Sequence, residues 1–206
     1  MSSFFDKINS ANKESKFLEV ENIKFSEKFY TEKNLTLLDE FRIEFEKVGG
    51  EFFMSKTEKD TTEILKEIFR KNHWKSVFCK EERFAEYLDR KELNILTETQ
   101  QLKNAEVGVN SCEFIAARTG SIIISSVQKS GRQMNIFVPH IIYIAQKKQL
   151  VKDIQQGINS FLVKNQKKNV SLISVVTGPS RTADIEKTLI LGMHGPKRVL
   201  LIFENF

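Results

Sequence analysis

Short runs of apolar residues alternate along this chain with segments whose apolar residues fall three and four apart, and that alternation constrains the fold most. In the first half, Leu38, Phe41, Phe45 and Val48 lie on one helical stripe that ends at Gly49-Gly50, and a strand over Glu51 to Met54 is expected to follow. Ile64, Leu65, Ile68 and Phe69 then mark a helix within Thr61 to Lys71, and Trp74 to Cys79 reads as a strand. Glu81 to Lys91 repeats the helical pattern, with Phe84, Tyr87 and Leu88 facing inward. Helices alternating with strands predict parallel α/β units.

The second half supplies more strands, at Ala105 to Asn110, Ser121 to Ser126 and His140 to Ala145. Ser130-Gly131-Arg132 reads as a tight turn, which allows a hairpin over Ser121 to Ala145. A long helix is expected next, with Leu150, Val151, Ile154, Ile158, Phe161 and Leu162 as its buried face. A strand over Val170 to Thr177, a helix over Thr182 to Leu191 and a strand over Val199 to Phe203 complete the pattern. Residues 1–35 have a helical look between Ser3 and Lys13 but no clear core face, so they are expected to form a helical arm on one α/β domain at 36–206.

The 206 residues suit one such domain, and an apolar content of 40% can fill its core. The longest apolar stretch, Ile136 to Ala145, is roughly half a membrane span and holds Pro139 and His140, so no span is expected. The N-terminus lacks the basic start and long apolar stretch of a signal peptide. Cys79 and Cys112 lie far apart and are too few for a four-cysteine zinc or iron–sulfur site. These features together predict a soluble, cytoplasmic domain. The charge is uneven: residues 105–206 hold 13 Lys and Arg against 6 Asp and Glu, whereas residues 1–104 hold 19 against 21. The prolines and most glycines also fall in the basic half, so loops of defined shape and surplus positive charge point to an anion site there. The basic residues are scattered and no RNA-binding aromatic motif is visible, which argues against nucleic acid.

The sharpest stretch runs from Ser174 through Gly178-Pro179-Ser180-Arg181-Thr182 to Asp184 and Glu186. A strand running into this loop and then a helix would aim free backbone N–H groups at an anion. Ser180 and Thr182 would add hydroxyls and Arg181 a fork of donors. Plain capping by a hydroxyl, with Asp184 complementing the helix dipole, is the competing reading, and it leaves Arg181 unexplained. His194, in the Gly192 to Pro196 turn, could be a general acid/base or bond to spare helix carbonyls. His140 reads as a core histidine and His73 as a helix-end residue. Glu113 stands alone among cations, as a base or nucleophile or as the partner of Arg118 or Arg132. No pair of histidines has metal-ligand spacing, so no metal is expected.

The runs VTGPSRTADIEKTLILGMHGPKRVLLIF, VGVNSCEFIAARTGSIIISS and PHIIYIA resemble the LUD-domain family, in particular its lactate utilization protein C group, over roughly residues 60–206. The resemblance implies a Rossmann-like parallel or mixed sheet flanked by helices, similar to the ribose-phosphate isomerase, glucosamine-phosphate deaminase and CoA-transferase group. It implies a part in oxidation of L-lactate to pyruvate beside iron–sulfur partner proteins, with no cofactor bound by this chain itself. Carried over by residue, Gly178, Ser180, Arg181, Thr182 and Asp184 match the family's GPSRTADIE element, and His194 its HGP element. Thr119, Gly120 and Arg132 match its Thr-Gly and glycine–arginine elements. The family usually places a carboxylate before that Thr-Gly, where this chain has Arg118. A stand-alone isomerase or acyl/CoA-transferase acting on a phosphorylated or carboxylate substrate is the alternative implied by fold, and a homodimer is left open.

Overall fold

Helix caps and apolar stripes set the first elements of the chain. The computed structural model describes residues 34–166, 169–182 and 190–206, and residues 35–206 form one compact unit. The helical arm expected over residues 1–35 lies outside the described residues except for its last two. Thr36 accepts the Asp39 N–H and starts helix α1 (Leu37–Lys47), which buries Phe41 and Phe45. Strand β1 (Glu51–Ser55) follows, and Thr57 then caps α2 (Glu58–Asn72). Next come β2 (Ser76–Phe78), the single turn α3 (Glu82–Ala85) and β3 (Asn94–Leu96).

The chain continues through β4 (Val107–Ser111), β5 (Phe114–Ala116), β6 (Ser121–Ser125), the short α4 (Met134–Phe137) and β7 (His140–Gln146). It ends with β8 (Leu150–Val151), α5 (Ile154–Lys164), β9 (Ile173–Val176), β10 (Arg181–Thr182), β11 (Ile190–Leu191) and β12 (Arg198–Glu204). Six strands form an all-parallel sheet in the order β1-β12-β7-β4-β2-β3. One cross-strand row runs Glu51, Leu200, Ile142, Val109. A parallel sheet buries both faces, and alternate residues of its central strands enter two apolar clusters. Ile141, Tyr143, Leu201 and Phe203 pack with Phe41 and Phe45 of α1 and Ile115 and Ile122 of the second sheet. Ile142, Ile144, Leu200 and Ile202 pack with Leu65, Ile68 and Phe69 of α2 and with Phe84 and Tyr87. The second sheet, β8-β5-β6-β9, is mixed, and β10 pairs with β11 in a two-stranded ladder.

This is the α/β architecture expected, with four local corrections. The helix expected over Glu81 to Lys91 is one turn, after which Asp89 opens a tight turn through its carboxylate and carbonyl. The hairpin over Ser121 to Ala145 does not form, because β6 joins the second sheet and β7 the first. Leu150 and Val151 pair with Ile115 and Ala116 as strand residues, since the helix begins only after Asp153 caps it, and Leu162 faces solvent. The helix expected over Thr182 to Leu191 is replaced at both ends by strand: Arg181 pairs with Leu191 and Thr182 with Ile190, while residues 183–189 lie outside the described residues.

Two glycines let the chain pack against the end of α1. Gly120 has φ +59°, and a Cβ there would lie 2.2 Å from the Phe45 backbone nitrogen; Gly178 has φ +79°, and its Cβ would lie 2.4 Å from the Val48 carbonyl oxygen. Gly131 has a similar φ of +67° but nothing within 4 Å. Gly120→Ala and Gly131→Ala therefore share the backbone strain of about 1–2 kcal/mol, and only the first adds overpacking of about 1–3 kcal/mol. Urea denaturation should show the Gly120 variant to be the less stable of the two; equal losses would mean that α1 does not press on this turn.

Candidate functional site

The order of the parallel strands fixes where a ligand can enter. From β2 the chain passes outward to β3 and then returns to β4 on the other side of β2, so the winding reverses between β2 and β4. Ligand crevices in open α/β sheets form at the carboxyl ends of strands that flank such a reversal. A cavity of 440 Å³ lies here, lined by residues at and beyond the ends of β2, β4 and β7, by Arg83 and Phe84 of α3 and by Lys164 of α5. Glu81, just beyond β2, accepts the backbone N–H of Ser111 at 2.7 Å and ties the two strand ends together. Glu113, just beyond β4, accepts the Ser125 hydroxyl at 2.6 Å. The Gln149 side-chain amide donates to the Cys112 carbonyl, and its oxygen accepts the Gln146 N–H at 2.7 Å.

Charge in the crevice is of both signs. Arg83 reaches Glu204, a carboxylate wholly buried at the end of β12, which also accepts from the Tyr87 phenol at 3.2 Å and from the Gln146 amide at 3.3 Å. Burial raises the Tyr87 phenol above its ordinary value, which keeps it a donor. Lys148 and Lys164 line the cavity with no ion-pair partner among the described residues. Burial, with the Glu113 and Glu81 carboxylates adding to it, drives the Cys112 thiol far above its ordinary value, and Cys79 is pushed up to about 11. Neither thiol is a nucleophile at neutral pH. The arrangement can hold a small anion on two lysines, beside a carboxylate oriented by a serine hydroxyl.

Of the residues singled out in the sequence, Glu113 lies in this crevice, and its partner is Ser125; Arg118 instead pairs with Asp153, the cap of α5, at 3.4 Å. Thr119, Gly120, Gly178 and Arg181 gather elsewhere. The Arg181 guanidinium donates to the Val48 carbonyl at 2.7 Å, where α1 ends. That bond, together with the strand at Arg181–Thr182, gives Arg181 a fastening role at a helix end. Nearby, the buried Ser121 hydroxyl bonds to those of Thr119 and Thr177 at 2.7 and 2.8 Å. Ser180 donates its N–H to the Pro196 carbonyl at 2.8 Å. Arg132 and His194 are exposed, and Asp184 lies outside the described residues. His73 is the left-handed cap of α2. His140 bonds through Nδ1 to the Glu106 carbonyl at 2.8 Å and packs on Trp74 at 4.7 Å between ring centroids.

The sequence reading passed over Glu81, Arg83, Ser125, Lys148, Gln149 and Lys164. A usable signal was present in the polar residues that immediately follow apolar strands, as in Lys80-Glu81 and Lys147-Lys148-Gln149.

Two outcomes follow from these contacts. Arg83→Ala leaves Glu204 buried without its cation, a loss of about 3–5 kcal/mol for a fully buried pair. Because Arg83 is 41% exposed, about 2 kcal/mol is expected in denaturant melts, with Glu204→Gln milder; an unchanged midpoint for Arg83→Ala would show that the pair is not formed. Burial, with the Arg198 and Lys197 cations adding to it, holds the His140 imidazole below its usual 6.5. A depressed folded value means that the unfolded chain binds the proton first, so this contribution to stability is full above about pH 6.5 and is lost as pH falls through the folded value. His140→Gln should flatten the fall in stability between about pH 7 and about pH 5; a slope unchanged from wild type would contradict the assignment.

The LUD-domain profile matches residues 38–203. The chain is 32% identical to YkgG of Escherichia coli K12 over 108 residues, which cover 51% of this chain and 47% of that protein. It is 27% identical over 124 residues to a lactate utilization protein C of Halalkalibacterium halodurans, covering 56% and 54% of the two chains. It is 32% identical over 124 residues to that of Oceanobacillus iheyensis, covering 58% and 53%. These alignments span about half the length of each relative. Among solved structures, a DUF162 family protein of Deinococcus radiodurans superposes with a TM-score of 0.61 at 15% identity, over 82% of this chain and 96% of that one, which places the two in one fold. With a profile that runs from α1 to the end of β12, the chain belongs to the LUD-domain family.

Proposed function

We propose that this chain is a component of lactate utilization, and that it handles a small carboxylate in the crevice at the carboxyl edge of its parallel sheet. The supporting observation is the pairing of Glu113 with Ser125 beside Lys148 and Lys164 at the reversal of strand order. Relatives named lactate utilization protein C supply the substrate class. Oxidation of L-lactate to pyruvate releases a pair of electrons and two protons. In this reading, Lys148 and Lys164 hold the substrate carboxylate and Glu113 receives the hydroxyl proton, its orientation kept by the Ser125 hydroxyl. The C2 hydrogen leaves with its bonding electron pair to a two-electron acceptor of the partner proteins, whose iron–sulfur clusters carry the electrons onward; the two cysteines of this chain fall short of the roughly four ligands a cluster requires.

Co-expression with the iron–sulfur proteins of a lactate utilization system tests this reading. The chain should co-purify with them, and Glu113→Gln should lower lactate oxidation by about 100-fold or more while leaving co-purification intact. Full oxidation with the Gln variant would remove Glu113 from the proton path. Full oxidation by the partners without this chain would overturn the proposed role.

A further inference from the structure

Four large apolar side chains meet solvent where α4 adjoins the turn at residues 192–196. Phe137 is 59% exposed and Ile136 56%, and Leu191 and Met193 follow at 50% and 49%. Backbone bonds hold their two segments side by side. Lys197 donates its N–H to the Pro139 carbonyl at 2.7 Å, Ser180 to the Pro196 carbonyl at 2.8 Å, and Gly192 to the Ser180 carbonyl at 2.9 Å. A Cβ on Gly195 would lie 3.8 Å from the Asn135 carbonyl oxygen, so the turn rests on α4. The core does not draw on these four residues: Met134, in the same helical turn, is wholly buried and packs on Gly108. Apolar residues exposed singly are ordinary, but a contiguous group rimmed by polar ones marks an interaction surface.

The rim is cationic. Arg132, exposed, stands two residues before α4, and Lys103 is exposed on the 3₁₀ turn Thr99–Asn104, against which α4 packs. The exposed Lys197 lays its stem against Gly192, next to Met193. None of the three has a carboxylate partner among the described residues. The four apolar residues belong to the half of the chain, residues 105–206, that holds 13 Lys and Arg against 6 Asp and Glu. A second copy of the chain would set like charges against each other on this face. Protein interfaces are depleted of lysine. An anionic bilayer surface accepts lysines in any arrangement, with the ammonium groups at its phosphates and the stems against apolar surface. No described helix is long and apolar enough to cross a bilayer, so the contact is with its surface.

We propose that this face docks on an anionic lipid surface. Ile136, Phe137, Leu191 and Met193 enter the headgroup region, and Lys103, Arg132 and Lys197 are held at lipid phosphates. A few apolar tips bind a bilayer only weakly by themselves, so the cations supply the rest and stable docking needs both. The two segments lead directly into the starts of β7 and β12, whereas the crevice lies at the carboxyl ends of the strands. A chain docked in this way keeps the crevice open to its own ligands.

Co-sedimentation of the full chain with vesicles tests the docking face, using phosphatidylcholine alone and phosphatidylcholine with about one-third phosphatidylglycerol. The chain should partition onto the anionic vesicles at least about tenfold more strongly than onto the neutral ones. Salt at about 1 M, where the Debye length is about 3 Å, should remove most of that excess. Phe137→Asp and Met193→Asp should each lower binding to anionic vesicles by about tenfold or more. Both side chains are exposed, so the variants should melt close to wild type, and either serves if the other does not fold. Val163→Asp, exposed on α5, should bind as the wild type does. Absent binding to anionic vesicles, equal binding to the two compositions, or full binding by the folded variants overturns the proposal. If the wild type ignores vesicles but Phe137→Asp fails to co-purify with the iron–sulfur partners, the face is a protein interface and the lipid assignment falls. Vesicle binding involves neither lactate nor the crevice, so it stands or falls apart from the lactate role.

Discussion

Parallel strands must be covered on both faces, and that requirement organises the rest of this molecule. The row Glu51, Leu200, Ile142, Val109 is one register line of a sheet whose central strands alternate their side chains between two apolar clusters. One face needs α2 and the Phe84–Leu88 turn; the other needs α1 and a whole second sheet. Covering the second face this way brings the end of α1 against Gly120 and Gly178, where a side chain would collide with backbone. The same parallel wiring, reversed between β2 and β4, leaves a crevice at the strand ends, lined in part by Arg83 and Phe84 of α3 and Lys164 of α5.

The division of labour between the two polar regions follows from this wiring. At the amino edge of the sheet, Arg198 donates to both carboxylate oxygens of Glu51 at 2.7 and 2.8 Å, and its guanidinium lies over Trp74. Glu106 there accepts the backbone N–H groups of Lys75 and Ser76 at 2.6 and 2.8 Å, bonds that draw its carboxyl below its ordinary value. These groups fasten strand starts and are satisfied. At the carboxyl edge, by contrast, Lys148 and Lys164 have no carboxylate partner among the described residues, and the buried Asn110 amide has no hydrogen-bond partner among them. Lys148 and Lys164 are exposed, so this edge presents solvated cations where Arg198 at the opposite edge is paired.

The elements most legible in the sequence were the one-sided apolar stripes of α1 and α2 and the strands buried on both faces. Ile141 to Ala145 and Val199 to Phe203 are unbroken apolar runs, as suits central parallel strands buried on both faces. Asn94–Leu96 was missed because three residues after a charged turn carry no periodicity, and Leu150–Val151 was absorbed into a helix because its spacing continues the stripe across Asp153. The Gly178–Thr182 loop shows the limit most plainly. Its residues suggest an anion site; in the structure one guanidinium nitrogen of Arg181 donates to the Val48 carbonyl, 133 residues earlier in the chain, a contact that no local pattern announces. Glu113 was legible as a lone carboxylate among cations; Ser125, which orients it, became visible only once β5 and β6 were paired. The family resemblance read from the same motifs agrees with the profile match, and Gly120, Gly178 and Arg181 of those motifs meet the end of α1.

The proposed function puts the working surface at the ends of β2, β4 and β7, with the Gly178–Thr182 loop as the competing location. Backbone amide NMR of the full chain titrated with L-lactate tests it most directly. The account predicts that shifts concentrate at Ser111–Glu113, Ser125–Gln128 and Lys148–Gln149, with Gly178–Thr182 silent. Shifts confined to Gly178–Thr182 and the end of α1 would contradict it.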